Sequence, residues 1–257
     1  MVASRTPSVS SVRRALSIIE MLAHAPSGMS VSGVSHKIGA PKSSTHTILL
    51  TLARCGFLER EHRTGNYTLG LKILTLGNLH IDKTDLRAQA QPYLHGLVER
   101  TGLTAHLAIL DGNQLVYVDK IESPGMVKMN TWIGRRIDAH CTALGKALLA
   151  NLPLDRLEDL YKRNALTQRT GKTISSRDAL KREMQRIRFR RYAIDDEECG
   201  IGVRCVGSVV FDKEGRAAAA IGVSGTTAQI GKARLESLGI LTRLCARKLS
   251  RNLGFAL

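Results

Sequence analysis

The sequence predicts an α+β protein with an N-terminal winged helix-turn-helix domain (1–69), a linker helix (70–82) and a C-terminal domain (83–257) of antiparallel sheet and flanking helices. Three observations carry this. Three short helical patterns and a hairpin follow one another inside the first seventy residues. Two further hairpin patterns lie later in the chain, with helical stretches between them. The length, 257 residues, suits two ordinary domains or one large one.

From Val12 the apolar residues Val12, Ala15, Leu16, Ile19, Leu22 and Ala23 keep a 3.6-residue period, so an amphipathic helix is expected, ended by Pro26-Ser27-Gly28. Ser30 is a candidate N-cap for a short second helix that buries Val31, Val34 and Ile38 and is closed by Gly39. Pro41 suits the first turn of a third helix, which buries Ile48, Leu49 and Leu52 and stops at Gly56. Phe57–Arg60 and Tyr67–Leu69 alternate around a polar turn containing Gly65, forming the wing. The pattern from Leu71 to Gly77 is helical again. After a helix at about 86–101, strands Thr104–Leu110 and Gln114–Ile121 flank Asp111-Gly112-Asn113, a strong hairpin turn. Helices follow at about 143–151, 154–163 and 176–191, then a hairpin of Cys205–Phe211 and Arg216–Ser224, and a last helix at about 230–252.

With 38 Lys plus Arg against 22 Asp plus Glu, the net charge is +16, which points to a polyanionic partner. Residues 1–80 hold nine basic and three acidic residues, a net +6, whereas residues 162–191 hold eleven and two, a net +9. The larger share therefore lies outside the winged motif. It is expected to be the solvated face of a helix, with a secondary DNA or partner contact as the alternative. Aromatics at 4% argue against a stacking platform for single-stranded nucleic acid. No apolar run approaches the ~18 residues that span a bilayer, and the N-terminus lacks the apolar core of a signal peptide. The five cysteines (Cys55, Cys141, Cys199, Cys205, Cys245) are odd in number and include no C-x-x-C pair. A cytoplasmic chain with reduced thiols is expected, without cofactor, metal or membrane partner.

A recognition helix enters the major groove by its N-terminal half, so Lys42, Ser43, Ser44, His46 and Thr47 are the expected contacts to double-stranded DNA. Lys42 donates to guanine or phosphate, the hydroxyls pair with either, and His46 donates or accepts. Arg63, at the wing tip, reaches backbone or minor groove. On a lone helix the same residues would read as solvated surface; the complete helix, helix, helix, hairpin order favours DNA.

Six segments then stand in a familiar order: SVRRALSIIEMLA, PKSSTHTILLTLARCGFLE, YTLGLKILTLG, HCTALGKALLANLP, YAIDDEECGIGVRCVGSVVF and AAAAIGVSG. On these the chain resembles the IclR-type bacterial transcriptional regulators, essentially end to end. The resemblance implies a GAF-like effector domain, homodimers or homotetramers, and a small molecule, an organic or aromatic acid, that modulates operator binding, with repression expected over activation. It also implies a ligand pocket lined by Ala143, Leu144, Asp195, Cys205, Gly222 and Ser224. The helix opening at Ala143 would offer free N–H groups to a carboxylate, Cys205 and Ser224 are weak donors, and Asp195 would accept a ligand hydroxyl or hold a nearby N–H. Without the resemblance, Asp195, Asp196, Glu197 and Glu198 read as a solvated turn. Three positions depart from the family: Thr47 where Arg is common, Thr45 where an aliphatic residue is common, and Gly222 where Ser is common, which implies a roomier pocket or one donor fewer.

Rival chemistries fit less well. Cys141 beside His140 suggests a thiol nucleophile, but adjacent side chains seldom face each other and no orienting group is identifiable. Thr170-Gly171-Lys172-Thr173 resembles the end of a phosphate loop, yet Leu166 stands where glycine is required. Gly200, Gly202 and Gly207 miss the dinucleotide spacing. A zinc site of His140, Cys141 and Cys205 has suitable ligands but no spacing motif. A purely architectural DNA binder would leave the ~170 residues beyond the winged motif without a use.

Overall fold

A computed structural model describes residues 8–82, 86–126, 128–163 and 165–256. The chain divides into two units, Met1–Lys83 and Thr84–Leu257.

The first unit contains α1 (Ser10–Ala23), α2 (Val31–Ile38), α3 (Lys42–Arg54), β1 (Leu58–Arg60), β2 (Tyr67–Leu69) and α4 (Lys72–Asp82). Ser30 starts α2 by accepting the Gly33 N–H at 3.2 Å, and Gly39, in the left-handed region at φ +62°, ends it. The Ser35 hydroxyl then donates to the Ala40 carbonyl at 2.7 Å, fixing the short turn into α3. β1 and β2 pair in register, Leu58 with Leu69 and Arg60 with Tyr67, and Met29 adds a bridge to Tyr67.

Ile18, Leu22, Val34, Leu49, Leu58 and Tyr67 form the core of this unit. Val12 and Leu16, expected on the buried face, are instead each 56% exposed. They lie ~120° and ~160° around α1 from Ile18, so the apolar stripe is wider than the surface the rest of the unit covers. Ile48 and Leu52 are only partly buried, while Thr45 is fully buried. Its hydroxyl donates to the Pro41 carbonyl at 3.0 Å, so this buried donor is satisfied within the helix. Ile18→Ala is expected to cost ~2–5 kcal/mol in urea unfolding; a loss below ~0.5 kcal/mol would place the core elsewhere.

The second unit contains α5 (Leu86–Thr101), β3 (Thr104–Asp111), β4 (Gln114–Ile121), β5 (Arg136–Asp138), α6 (Ala143–Leu149), α7 (Leu154–Arg163), α8 (Arg177–Arg190), β6 (Ala193–Asp196), β7 (Val203–Phe211), β8 (Ala217–Thr226) and α9 (Leu235–Asn252). The strands form an antiparallel sheet in the order β5-β4-β3-β8-β7-β6 among the described residues. β5 and β6 have no counterpart in the sequence reading, because three or four residues are too few to show alternation. The acidic run, which without the resemblance reads as a solvated turn, begins inside β6, where Asp195 pairs with Cys205. The last helix starts at Leu235, after a 3-10 turn at Lys232–Arg234 that follows the buried Ile230.

Both faces of the sheet are covered. Leu107, Val206, Ile221 and Val223 pack with Leu94 and Leu97 of α5 and Leu238 and Leu249 of α9. On the other face, Ala108 and Ala220 pack with Leu144 and Leu148 of α6 and Leu180, Met184 and Ile187 of α8. Gly207 and Gly222 face each other across β7 and β8. A Cβ on Gly207 would stand 3.2 Å from the Leu144 side chain, and one on Gly222 would overlap the Val206 carbonyl oxygen. Gly207 lets Leu144 of α6 settle onto the sheet, and Gly222 keeps clear of the β7 backbone.

Candidate DNA interface and effector cavity

Lys42, Ser43, His46 and Thr47 lie exposed on one face of the first two turns of α3. No side chain caps α3, so its N-terminal turn is open to a phosphate. Ser44 is half-buried and its hydroxyl donates to the Pro41 carbonyl at 3.0 Å, which leaves it only acceptor capacity. Thr47 likewise donates to the Ser43 carbonyl at 3.1 Å. Arg63 is exposed in the wing turn and has no carboxylate partner among the described residues. Gly65 at φ +72° and an Asn66 amide bond to the Ser27 carbonyl set that turn.

In the second unit a cavity of about 180 Å³ lies between β4, β7 and β8, the start of α6 and the 129–135 segment. That is below the ~300–1,000 Å³ of drug-sized ligand sites, so its occupant is small. Ala143, Leu144, Asp195, Cys205 and Ser224 all line it. Gly222 does not: its missing Cβ points at the β7 backbone, so a serine there would add no donor to the cavity. The first turn of α6 offers less than expected as well. The Thr142 hydroxyl accepts the Gly145 N–H at 3.1 Å, and the helix has only seven residues.

The charged groups explain what the cavity can hold. Asp195 is 1% exposed. Its Oδ1 accepts the N–H groups of Glu198 (2.8 Å) and Cys199 (3.3 Å), while its buried Oδ2 has no partner among the described residues. Burial raises its pKa to about 7, against the opposing pull of Lys146. Lys146, 1% exposed, pairs with Glu198, whose own pKa burial also raises. One buried cation thus faces two buried carboxylates, and Asp195 keeps its proton up to near neutrality. Arg135, half-buried and stacked on Trp132 at 4.8 Å, brings a positive charge to the same cavity. Burial pushes the Cys205 thiol well up, so it stays neutral.

Arg135, Thr131, Tyr117 and Cys199 line the cavity but escape sequence reasoning. The segment between β4 and β5 has no periodicity to read; its length, without secondary structure of its own, was the available signal. The buried His106 and the half-buried Lys120 hold it. His106 Nε2 meets Thr131 Oγ1 at 2.8 Å and its Nδ1 meets Ser224 Oγ at 3.4 Å, with burial lowering its pKa to about 3. Lys120 Nζ donates to the carbonyls of Met129 (3.1 Å) and Thr131 (2.8 Å).

The rival chemistries find structural uses. Cys141 is buried, its pKa is raised by its contact with Cys199 and by burial, and its thiol donates to the Asp138 carbonyl at 3.3 Å. His140 Nε2 meets the Thr167 carbonyl at 3.1 Å. Thr170 and Thr173 donate their hydroxyls to the carbonyls of Glu197 (2.7 Å) and Glu198 (2.6 Å), bracing the turn after β6. Among the described residues no three His, Cys, Asp or Glu side chains converge as metal ligands, and no helix is long and apolar enough to cross a membrane.

Comparison with known proteins agrees with this geometry. Residues 11–62 match the IclR helix-turn-helix domain, and residues 79–251 match the C-terminal domain of the bacterial transcriptional regulator IclR. The chain is 35% identical over 249 residues to the HTH-type transcriptional regulator XynR of Escherichia coli (strain K12), covering 97% of this chain and 99% of that one. It is 28% identical to the Escherichia coli transcriptional repressor IclR, over 96% of this chain and 91% of that one. The crystal structure of the Thermotoga maritima IclR superposes with a TM-score of 0.81 at 32% identity, covering 95% and 98% of the two chains. These relatives are regulators and not enzymes. A helix-turn-helix with its wing, a two-faced sheet and matches to both family domains lead to one conclusion: the chain belongs to the IclR family of bacterial transcriptional regulators.

Proposed function

We propose that the protein is a ligand-responsive repressor. It binds a pseudo-palindromic double-stranded DNA operator as a homodimer or dimer of dimers and takes a small organic acid into the 180 Å³ cavity. The observation that carries the ligand is the orphan Asp195 Oδ2 in a cavity that also holds Arg135. Arg135 suits the carboxylate, and protonated Asp195 can donate to a carboxylate or carbonyl oxygen. Repression follows relatives named as repressors, including IclR and the AllR proteins. Self-association is supported by exposed Val9, Val12 and Leu16 at α1 and exposed Leu71, Leu74 and Leu76 at α4, apolar surface that the chain alone leaves in water. The ligand changes regulation only by binding DNA-competent and incompetent arrangements with different affinity.

Footprinting upstream of its own and neighbouring genes, with and without small carboxylic and aromatic acids, tests this reading. Two protected half-sites separated by about 34–36 Å, or a multiple, are expected. A single asymmetric half-site refutes the two-fold arrangement. His46→Ala is expected to relax preference at one base pair per half-site by ~1–3 kcal/mol, while Lys42→Ala weakens all sequences alike if it holds phosphate. Ser44→Ala should do less than either, because the Ser44 hydroxyl is already committed to Pro41. Unchanged operator affinity in both the His46 and Lys42 variants would remove α3 from the interface. If no acid raises the melting temperature, an architectural DNA binder is the better description.

A further inference from the structure

We propose that a groove of about 500 Å³ beside β7 is a second ligand site, for an organic anion carrying two or more negative charges on an apolar body. It shares no lining residue with the effector cavity. β6 pairs only with Arg204–Gly207, so the remainder of β7, Ser208–Phe211, lies beyond it, between α8 and α9. Arg188 and Arg191 reach the groove from the end of α8, and Arg243 and Arg247 from α9. No Asp or Glu lines it, and none of the four arginines has a carboxylate partner among the described residues. This is where part of the unexplained charge of residues 162–191 collects.

Charge and shape select the occupant. Four guanidiniums around one groove repel one another until an anion enters, and their forked donors match phosphate or carboxylate oxygens. The Arg188 Nε is already anchored to the Ala150 carbonyl, which fixes that side chain in place. The apolar lining includes Val209, Leu244, Phe211 and Phe255, the two rings stacked at 5.1 Å. Duplex DNA offers phosphates but no apolar body to such a lining. An extended peptide is disfavoured too, since the Phe211 N–H at the strand edge is taken by the Ser250 hydroxyl at 2.9 Å. The volume lies within the ~300–1,000 Å³ of small-molecule sites. A nucleoside polyphosphate and an aromatic polycarboxylate share the required chemistry.

Calorimetric titration of the full chain with ATP, with benzene-1,2,4-tricarboxylate and with inorganic triphosphate separates these sources and tests the site. Saturable binding of ATP or the tricarboxylate is expected, with inorganic triphosphate weaker for lack of an apolar body. The Arg243→Ala/Arg247→Ala double variant, altered only at exposed helix positions, should weaken that binding by about tenfold or more. Asp195→Asn, in the other cavity, should leave it unchanged. Binding of neither organic anion, triphosphate binding as tight as both, or full affinity in the double variant overturns the proposal. Loss of operator affinity in the double variant, with neither organic anion bound, would show that the groove faces DNA and also overturns it.

Discussion

Affinity for a carboxylate effector falls as the pH is raised through about 7, and the Asp195→Asn variant loses that dependence. Below its raised pKa of about 7, Asp195 is protonated and its free oxygen can donate; above it, an anion faces an anion. Affinity should then drop towards tenfold per pH unit, measured by calorimetry on either side of neutrality. The groups facing Asp195 are Lys146 on α6, Glu198 and Cys199 in the turn, and Cys205 on β7. Stability follows the same sign. A folded pKa raised from 3.8 to about 7 contributes stability that is complete below about 4 and is lost as the pH rises to about 7. The full difference is roughly 4 kcal/mol. Urea unfolding across that window should show the decline in the parent and not in Asp195→Asn. Effector affinity that is flat between pH 6 and 8 would remove Asp195 from the ligand site.

Breaking the buried Lys146–Glu198 pair should be the most damaging single change in the second unit. Lys146→Met leaves Glu198 charged and uncompensated beside Asp195, at an expected cost of ~3–5 kcal/mol. Lys146→Met with Glu198→Gln removes both charges and should recover most of the loss. A single-variant cost below ~1 kcal/mol in chemical unfolding would mean that water reaches the pair. Removing Lys146 also removes the cation that lowers the Asp195 pKa, so the effector's pH break should move to higher pH in that variant.

The first unit was legible because local signals specify it: Ser30 and Gly39 bracket α2, Pro41 opens α3, and Gly65 turns the wing. Periodicity located α1 and its buried Leu22 but gave too wide a buried side, since an apolar stripe is not limited to what its own unit covers. In the second unit the long hairpins were readable, and β5 and β6 were too short to be. The cavity was half legible. Motif resemblance supplied Ala143, Leu144, Asp195, Cys205 and Ser224, all of which line it, together with Gly222, which does not. Arg135, Thr131 and His106 were out of reach, because their roles depend on long-range contacts between β3, β8 and an aperiodic loop.

The effector cavity has two kinds of wall, one formed by the start of α6 and the sheet and one by the loop before β5. Behind the first, Gly145 and Gly222 leave no room for an added carbon, a Cβ on Gly207 would press on Leu144, and every residue of α6 is buried. On the other, Met129, Asn130, Thr131 and Arg135 come from a loop whose side chains are exposed or half-buried. A change in the first wall must be absorbed by the core, whereas a change at Met129, Asn130 or Arg135 falls on side chains outside the core, Thr131 alone being tied to the buried His106. Selection for a new metabolite can therefore work on the loop while the scaffold stays still, so one architecture can diverge in what it senses without first losing its stability.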